Sequence, residues 1–282
     1  MSPAESPALL AEASQQASLL FNEVLFGLAM LAFAVLMVME HIQPYRKFTN
    51  KISKESFVTN TTAFLFNNII LTALRASSLF FIAQRFSGFG LLSEMANGPL
   101  KWLLSFVLFD FSIYLWHLVS HKYEWLWRFH KVHHSDKSFN VSTGFRFHVF
   151  DLFLEILYKC LFVMIIGVDA YVVLAIEIIE LFFIFFHHAN LAFKYENLIS
   201  QFIITPSLHR VHHSALRKEH DSNYGIVLSG WDKLFGTRKE LVPEKIGLDT
   251  IVAENFLQLF FLAFVTERHI RRLLQIIPKG KK

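Results

Sequence analysis

Cysteine is almost absent from this 282-residue chain. The one present, Cys160, excludes an intramolecular disulfide framework and any thiolate cage for zinc or an iron–sulfur cluster supplied by a single chain. Glycine (11) and proline (7) are also scarce, which argues against disorder, low complexity and a sheet-rich fold that needs many tight turns. Charged residues make up only 18%. The net charge of +4 is mild, and its basic residues fall between and after apolar stretches instead of forming a stripe, which argues against nucleic acid as a partner. What fills the chain is 54% hydrophobic residues, including 32 Phe, at a mean hydropathy of +0.40. That is too oily for an ordinary soluble domain. The other anomaly is 14 histidines, bunched rather than scattered.

The apolar runs read as membrane helices. Residues 19–39 carry Asn22 and Glu23 near the start and are uninterrupted from Val24, long enough to cross a hydrocarbon core of about 30 Å. A cleaved signal peptide would need a basic leader, but the residues before this run hold Glu5 and Glu12 and no Lys or Arg. A second run, 62–81, contains Asn67, Asn68 and Arg75, which a helix in a bundle would turn inward. A third, 102–119, is cleaner. Residues 149–186 are almost twice spanning length and break at Gly167-Val168-Asp169-Ala170, so a helical hairpin is expected. The shorter run 256–265, followed by Arg268, Arg271 and Arg272, is expected to lie at the interface.

Together these predict an all-α integral membrane bundle of about four to five spanning segments with a cytosolic, histidine-rich helical cap. Its expected divisions are N-terminal membrane helices over 1–98, a central domain over 99–240 that carries the histidine clusters, and an interfacial helix with a basic tail over 241–282. Arg46, Lys47, Lys51 and Lys54 follow the first helix while its other end is acidic, so the N-terminus is expected outside. Alternate threading then puts every histidine cluster on the cytosolic side, apart from the isolated His41.

Four clusters stand out. His117 and His121 form H-x-x-x-H, a spacing that stacks two imidazoles on one helix face. His130, His133 and His134 form H-x-x-H-H, and His209, His212 and His213 repeat it. Between the repeats sit His148 and the pair His187-His188, followed by Asn190. A lone histidine is more often a packing residue than a ligand, but eight in three boxes exceed what one tetrahedral zinc can use and imply two metals. Asp110, Tyr114, His117 and His121 share one helical stripe, so Asp110 and Tyr114 are candidates for orienting the imidazoles. Glu177 and Glu180 lead by helical spacing to His187-His188 and could either aim at the metals or pair with Arg75 or Lys159.

With these motifs in place, the sequence resembles the fatty acid hydroxylase superfamily, also called the sterol desaturase family. The likeness runs through residues 127–136, Ser142-Thr143, Arg146-Phe147-His148, His188-Ala189-Asn190, residues 205–214, Asn223-Tyr224-Gly225 and residues 231–237. It looks closest to bacterial members and to alkylglycerol monooxygenases. The resemblance implies a membrane-embedded enzyme with a di-iron centre. Its iron ligands would be His117, His121, His130, His133, His134, His209, His212 and His213, with His188 a ninth. His148 is a tenth candidate ligand, at the family's Arg-x-His-Pro position, although Val149 replaces the proline. Asn190 and Asn223 join Asp110 and Tyr114 as expected supports of the ligands, and His220 matches no family histidine.

The implied reaction is O2-dependent hydroxylation or desaturation of a lipid or sterol drawn from the bilayer. Electrons would come from outside, from a redox partner or a tetrahydropterin, because the chain has no dinucleotide fingerprint and no redox domain of its own. A bacterial inner membrane is the implied location. The rival reading is a membrane metal-ion carrier, but its histidines would be strung across the bilayer, not gathered on one side. Metal-dependent hydrolysis would need the Glu of an H-E-x-x-H site, which no box contains.

Overall fold

The computed structural model describes residues 7–74, 79–248 and 253–265, and among them the chain is helical with no strands. The long elements are α1 (Pro7–Ile42), α2 (Asn50–Ala73), α3 (Leu79–Phe86), α4 (Pro99–Lys122), α5 (Glu124–His134), α6 (Val149–Ile166) and α7 (Ala170–His188). Short helices α8 (Glu196–Ile199), α9 (Pro206–His212), α10 (Arg217–His220), α11 (Gly230–Leu234) and α12 (Phe256–Leu262) complete it. Among the described residues three segments are long and apolar enough to cross a membrane: Leu19–Ile42, Pro99–Lys122 and Ala170–His188.

The expected hairpin turns where the sequence breaks. Gly167 closes α6 at φ +74°, and the Asp169 carboxylate accepts from the N–H groups of Tyr171 and Val172 to start α7. Only glycine fits at 167, since a Cβ there would lie 2.1 Å from the Phe89 carbonyl oxygen. The loop after α3 is held to this turn by Leu91 and Leu92, which donate to the Ile165 and Ile166 carbonyls. Within the hairpin Lys159 meets Glu180 at 3.0 Å, Glu155 at 3.1 Å and Glu177 at 3.7 Å. The two acids of α7 therefore pair with Lys159 and not with the histidines; Arg75, the other candidate partner, lies outside the described residues.

The run expected over 62–81 is not one helix. Among the described residues α2 starts earlier, at Asn50, ends at Ala73, and is followed by the separate α3. The reason lies on its inner face, where Ser56, Thr59, Asn60 and Asn67 are buried. Ser56 and Asn60 donate to the Asp136 carboxylate, as do Ser138 and Thr143, and Asn60 also accepts from Arg146. This polar core ties α2 to the segment between α5 and α6. A buried carboxylate and guanidinium are tolerated because nearly every donor and acceptor finds a partner.

The C-terminal run forms α12 and packs one face on the bundle. Leu259, Leu262 and Ala263 pack against Ala63 of α2 and Trp127 and Val132 of α5, while Leu257 and Phe261 face outward. Arg268, Arg271 and Arg272 lie outside the described residues.

Candidate metal centre

Four helices deliver the imidazoles. His117 and His121 come from the last two turns of α4, His130, His133 and His134 from the end of α5, His188 from the last residue of α7, and His209, His212 and His213 from α9 and its C-cap. Thr205-Pro206 starts α9 with proline in the first turn, where its missing N–H leaves no bond unmade. All nine are at most 6% exposed.

They sort into two groups. One holds a nitrogen each from His117, His121, His130, His134 and His212, and the other from His133, His188, His209 and His213, with the atoms of each group within 4.8 Å of one another. Each H-x-x-H-H box is therefore shared. His130 and His134 go to the first group and His133 to the second, while His212 goes to the first and His209 and His213 to the second.

Hydrogen bonds on the outer nitrogens set the tautomers. Nδ1 of His117 lies 2.8 Å from the Tyr224 carbonyl, that of His212 2.7 Å from Ser222, and that of His188 2.7 Å from Ile184. Two carboxylates do the same work: Asp151 on His130 at 3.0 Å and Asp221 on His121 at 3.2 Å. A carbonyl or carboxylate only accepts, so each of these Nδ1 atoms carries the proton and each Nε2 presents a lone pair inward.

Three of those lone pairs meet no donor. Nε2 of His117, His130 and His212 is buried with no hydrogen-bond partner. Nε2 of His188 faces three other Nε2 atoms, of His133, His209 and His213, at 3.1, 3.0 and 3.3 Å, and Nε2 of His121 faces that of His134 at 3.1 Å. Nitrogens bound at about 2.0–2.1 Å to a common ion, at octahedral or tetrahedral angles, stand about 2.8–3.4 Å apart. The donor set thus fits a metal in each group, and its chemistry suits iron, zinc or copper. Burial, reinforced by neighbouring imidazoles, holds His133, His134, His209, His212 and His213 well below the ordinary histidine pKa, in the neutral form that binds metal.

The residues expected to support the ligands act one layer further out, and none hydrogen-bonds to a grouped imidazole. Asp110 accepts from the N–H groups of Val227 and Leu228 and from the Trp231 indole. Tyr114 bonds Thr237 Oγ1, and Asn223 clamps the Leu208 and Lys239 backbone. Asn190 holds both the N–H and the carbonyl of Arg46. Asp110, with Asp232 on the Tyr224 and Gly225 N–H groups, fixes the loop whose Tyr224 carbonyl orients His117.

His148 stands apart from both groups. It is the N-cap of α6, its Nδ1 accepting from the Phe150 N–H, and its ring packs among Phe129, Phe150 and Phe260. Burial pushes its pKa down to about 4. Asp151 and Asp221, which do touch imidazoles, stand at no helical spacing from the histidines they meet; the only sequence signals are that Asp151 lies in the first turn of α6 and Asp221 follows His220. His187 is fully buried with its ring centroid 3.9 Å from that of His209, outside either group.

A helical membrane fold with clustered histidines drawn from four helices defines a class that comparison with known proteins identifies: this chain belongs to the fatty acid hydroxylase family, whose match spans residues 102–237. Ornithine lipid hydroxylase of Rhizobium tropici is 30% identical over 235 residues, covering 79% of this chain and 70% of that protein. Human alkylglycerol monooxygenase is 32% identical over 142 residues, half of this chain and 31% of that protein. Human cholesterol 25-hydroxylase is 28% identical over 156 residues, 51% of this chain and 53% of that protein. The chain therefore spans about a third to a half of the mammalian relatives. No solved structure gives a significant match.

Proposed function

We propose that this protein is a multi-pass membrane oxygenase that hydroxylates a C–H bond of a lipid, using O2, two irons and electrons from an external donor. The observation that carries the reading is the pair of buried groups in which imidazole nitrogens of several helices converge within 4.8 Å of one another, with Nε2 of His117, His130 and His212 meeting no hydrogen-bond partner. The relatives' names, all hydroxylases or monooxygenases, favour hydroxylation over desaturation. Likeness to an ornithine lipid hydroxylase along most of its length favours a polar-headed membrane lipid. The catalytic unit in this reading is 99–240, and the basic residues Arg46, Lys47, Lys51 and Lys54 favour a cytosolic location for the histidines at an inner membrane.

In this reading His117, His121, His130, His134 and His212 hold one iron and His133, His188, His209 and His213 the other. Bound iron supplies the O2 chemistry and the oxidising strength that no side chain has. The chain supplies placement. Carbonyls of Tyr224, Ser222 and Ile184 and carboxylates of Asp151 and Asp221 keep the rings aimed inward, and burial keeps them neutral and excludes bulk water. A closed cage of this kind also disfavours the carrier reading, which needs an ion to leave as readily as it arrives.

Metal analysis of the purified protein should give about two irons per chain, and lipid extracts of expressing cells should contain a species heavier by one oxygen atom. A single zinc and an unchanged lipid profile would overturn the proposal. Replacing Asp151 by Ala leaves the buried His130 Nδ1–H without an acceptor, and loss of such a partner lowers metal affinity by about 10–100-fold. Chelator competition on the purified variant measures it, and unchanged retention of metal would remove Asp151 from the site.

A further inference from the structure

The two histidine groups are held in different ways. In the first, carbonyls or carboxylates meet the outer Nδ1 of His117, His121, His130 and His212. In the second only His188 has such an acceptor, while Nδ1 of His133, His209 and His213 is buried with no hydrogen-bond partner. Those three rings are aimed by the backbone that carries them and by the side chains packed on them. The Phe147 ring stacks on His133 at 4.3 Å, and that of Phe139 lies 5.2, 5.8 and 6.2 Å from those of His213, His188 and His209. Phe139 holds φ at +38°, in the left-handed region that disfavours any residue with a side chain, so its surroundings must keep it there.

One atom of the first helix ties down both segments beside this group. Glu40, in the last turn of α1, accepts from the Val141 N–H at 3.0 Å and from the Asn190 N–H at 3.1 Å, both on Oε2. Val141 lies two residues after Phe139, and Asn190 two residues after His188. A carboxylate at the C-terminal end of a helix sits at the unfavourable pole of the helix dipole, a local cost that the two donors offset. The loop after α1 continues the brace. The Tyr45 N–H donates to the Asn190 carbonyl at 2.8 Å, and the Arg210 guanidinium, next to His209, lies 4.0 Å from the centre of the Tyr45 ring. Phe33 of α1 packs on Phe145 and Phe185 at 5.1 and 4.9 Å. On α4 and α5, by contrast, His117, His121 and His130 are aimed by Tyr224, Asp221 and Asp151.

We propose that Glu40 is a positioning residue for the second metal group, through which α1 sets His188 and Phe139. α1 lies outside the family match over 102–237, so the brace reaches the centre from beyond that domain. The inference rests on the two-metal reading and adds a residue to it. Acceptor geometry, not charge, does the positioning. Both N–H groups meet the same oxygen, so the single amide oxygen of glutamine can serve, whereas alanine offers no acceptor and aspartate is one methylene short.

The test uses the full chain in maltoside micelles, stripped of metal and titrated with cobalt(II), whose visible absorption reports its coordination. The unaltered protein should take up about two equivalents. Glu40→Ala and Glu40→Asp should each weaken one of them by about 10-fold or more, as loss of an outer partner does, and leave the other unchanged. Glu40→Gln should restore both. In a His133→Ala background, where the second group is already broken, adding Glu40→Ala should leave the remaining equivalent as it was. A purely structural role would weaken both equivalents together, and that result would overturn the proposal. So would a glutamine variant that behaves like alanine, or alanine and aspartate variants with both equivalents intact. Should the alanine variant fail to fold, the contrast between glutamine and aspartate decides by the same criteria. An unaltered protein that takes up only one equivalent would overturn the two-metal reading itself, an outcome separate from any effect of Glu40.

Discussion

A His133→Ala variant is expected to bind about one iron per chain instead of about two and to form no oxygenated lipid. His133 faces Nε2 of His188 at 3.1 Å, and its ring stacks on Phe147 at 4.3 Å, so its loss removes one of four nitrogens from the second group and the ring that positions it. A four-nitrogen shell has little redundancy, and an ion held by three loses both affinity and geometry. His148→Ala is the informative contrast. That histidine caps α6 and packs among phenylalanines outside both groups, so its removal should lower stability by about 1 kcal/mol, the usual worth of an N-cap, and leave iron content intact. Metal analysis of the two variants side by side checks both statements. Full iron content in His133→Ala, or its loss in His148→Ala, would reverse the assignments.

The largest structural effect is expected at a residue that touches no imidazole. Asp136 accepts from Ser56, Asn60, Ser138 and Thr143, and its charge faces the buried Arg146. Asp136→Ala would leave a guanidinium uncompensated in the interior, a loss of about 3–5 kcal/mol. For a domain of this size that corresponds to a fall in melting temperature on the order of 10 °C, readable by thermal shift in detergent. Burial alone would raise the Asp136 pKa, but Arg146 and the hydrogen bonds overcome it and hold the group below its ordinary value of 3.8. Its stabilising contribution is therefore complete above that value and is lost as pH falls through the lower folded value. A variant melting like the unaltered protein would show that α2 and the segment before α6 are held together by apolar packing alone.

Much of the centre can be read from spacing. The i, i+3, i+4 recurrence of His130, His133 and His134, and of His209, His212 and His213, puts three imidazoles on one side of a helix whatever the rest of the chain does. The split within each box follows from the same pitch, but which partners complete each group does not. Residues i and i+4 stack, while i+3 is rotated to the side, so each box faces two neighbours that only packing brings into place. The stripe of Asp110 and Tyr114 with His117 and His121 misleads for a related reason. A shared face shows what lies along a helix, not what lies across from it, and across from Asp110 is the backbone of Val227 and Leu228.

Composition and periodicity alone determined that the chain would be helical, would meet a membrane and would present histidines in register, because those properties follow from hydropathy and from the pitch of the helix. Tertiary structure alone decided which atoms orient the rings. His117 is aimed by a carbonyl 107 residues away and His121 by a carboxylate 100 residues away. Bonds of such range involve backbone oxygens that carry no residue-specific signal, or acids whose spacing matches no helical period, and they exist only once the loops have folded over the helix ends.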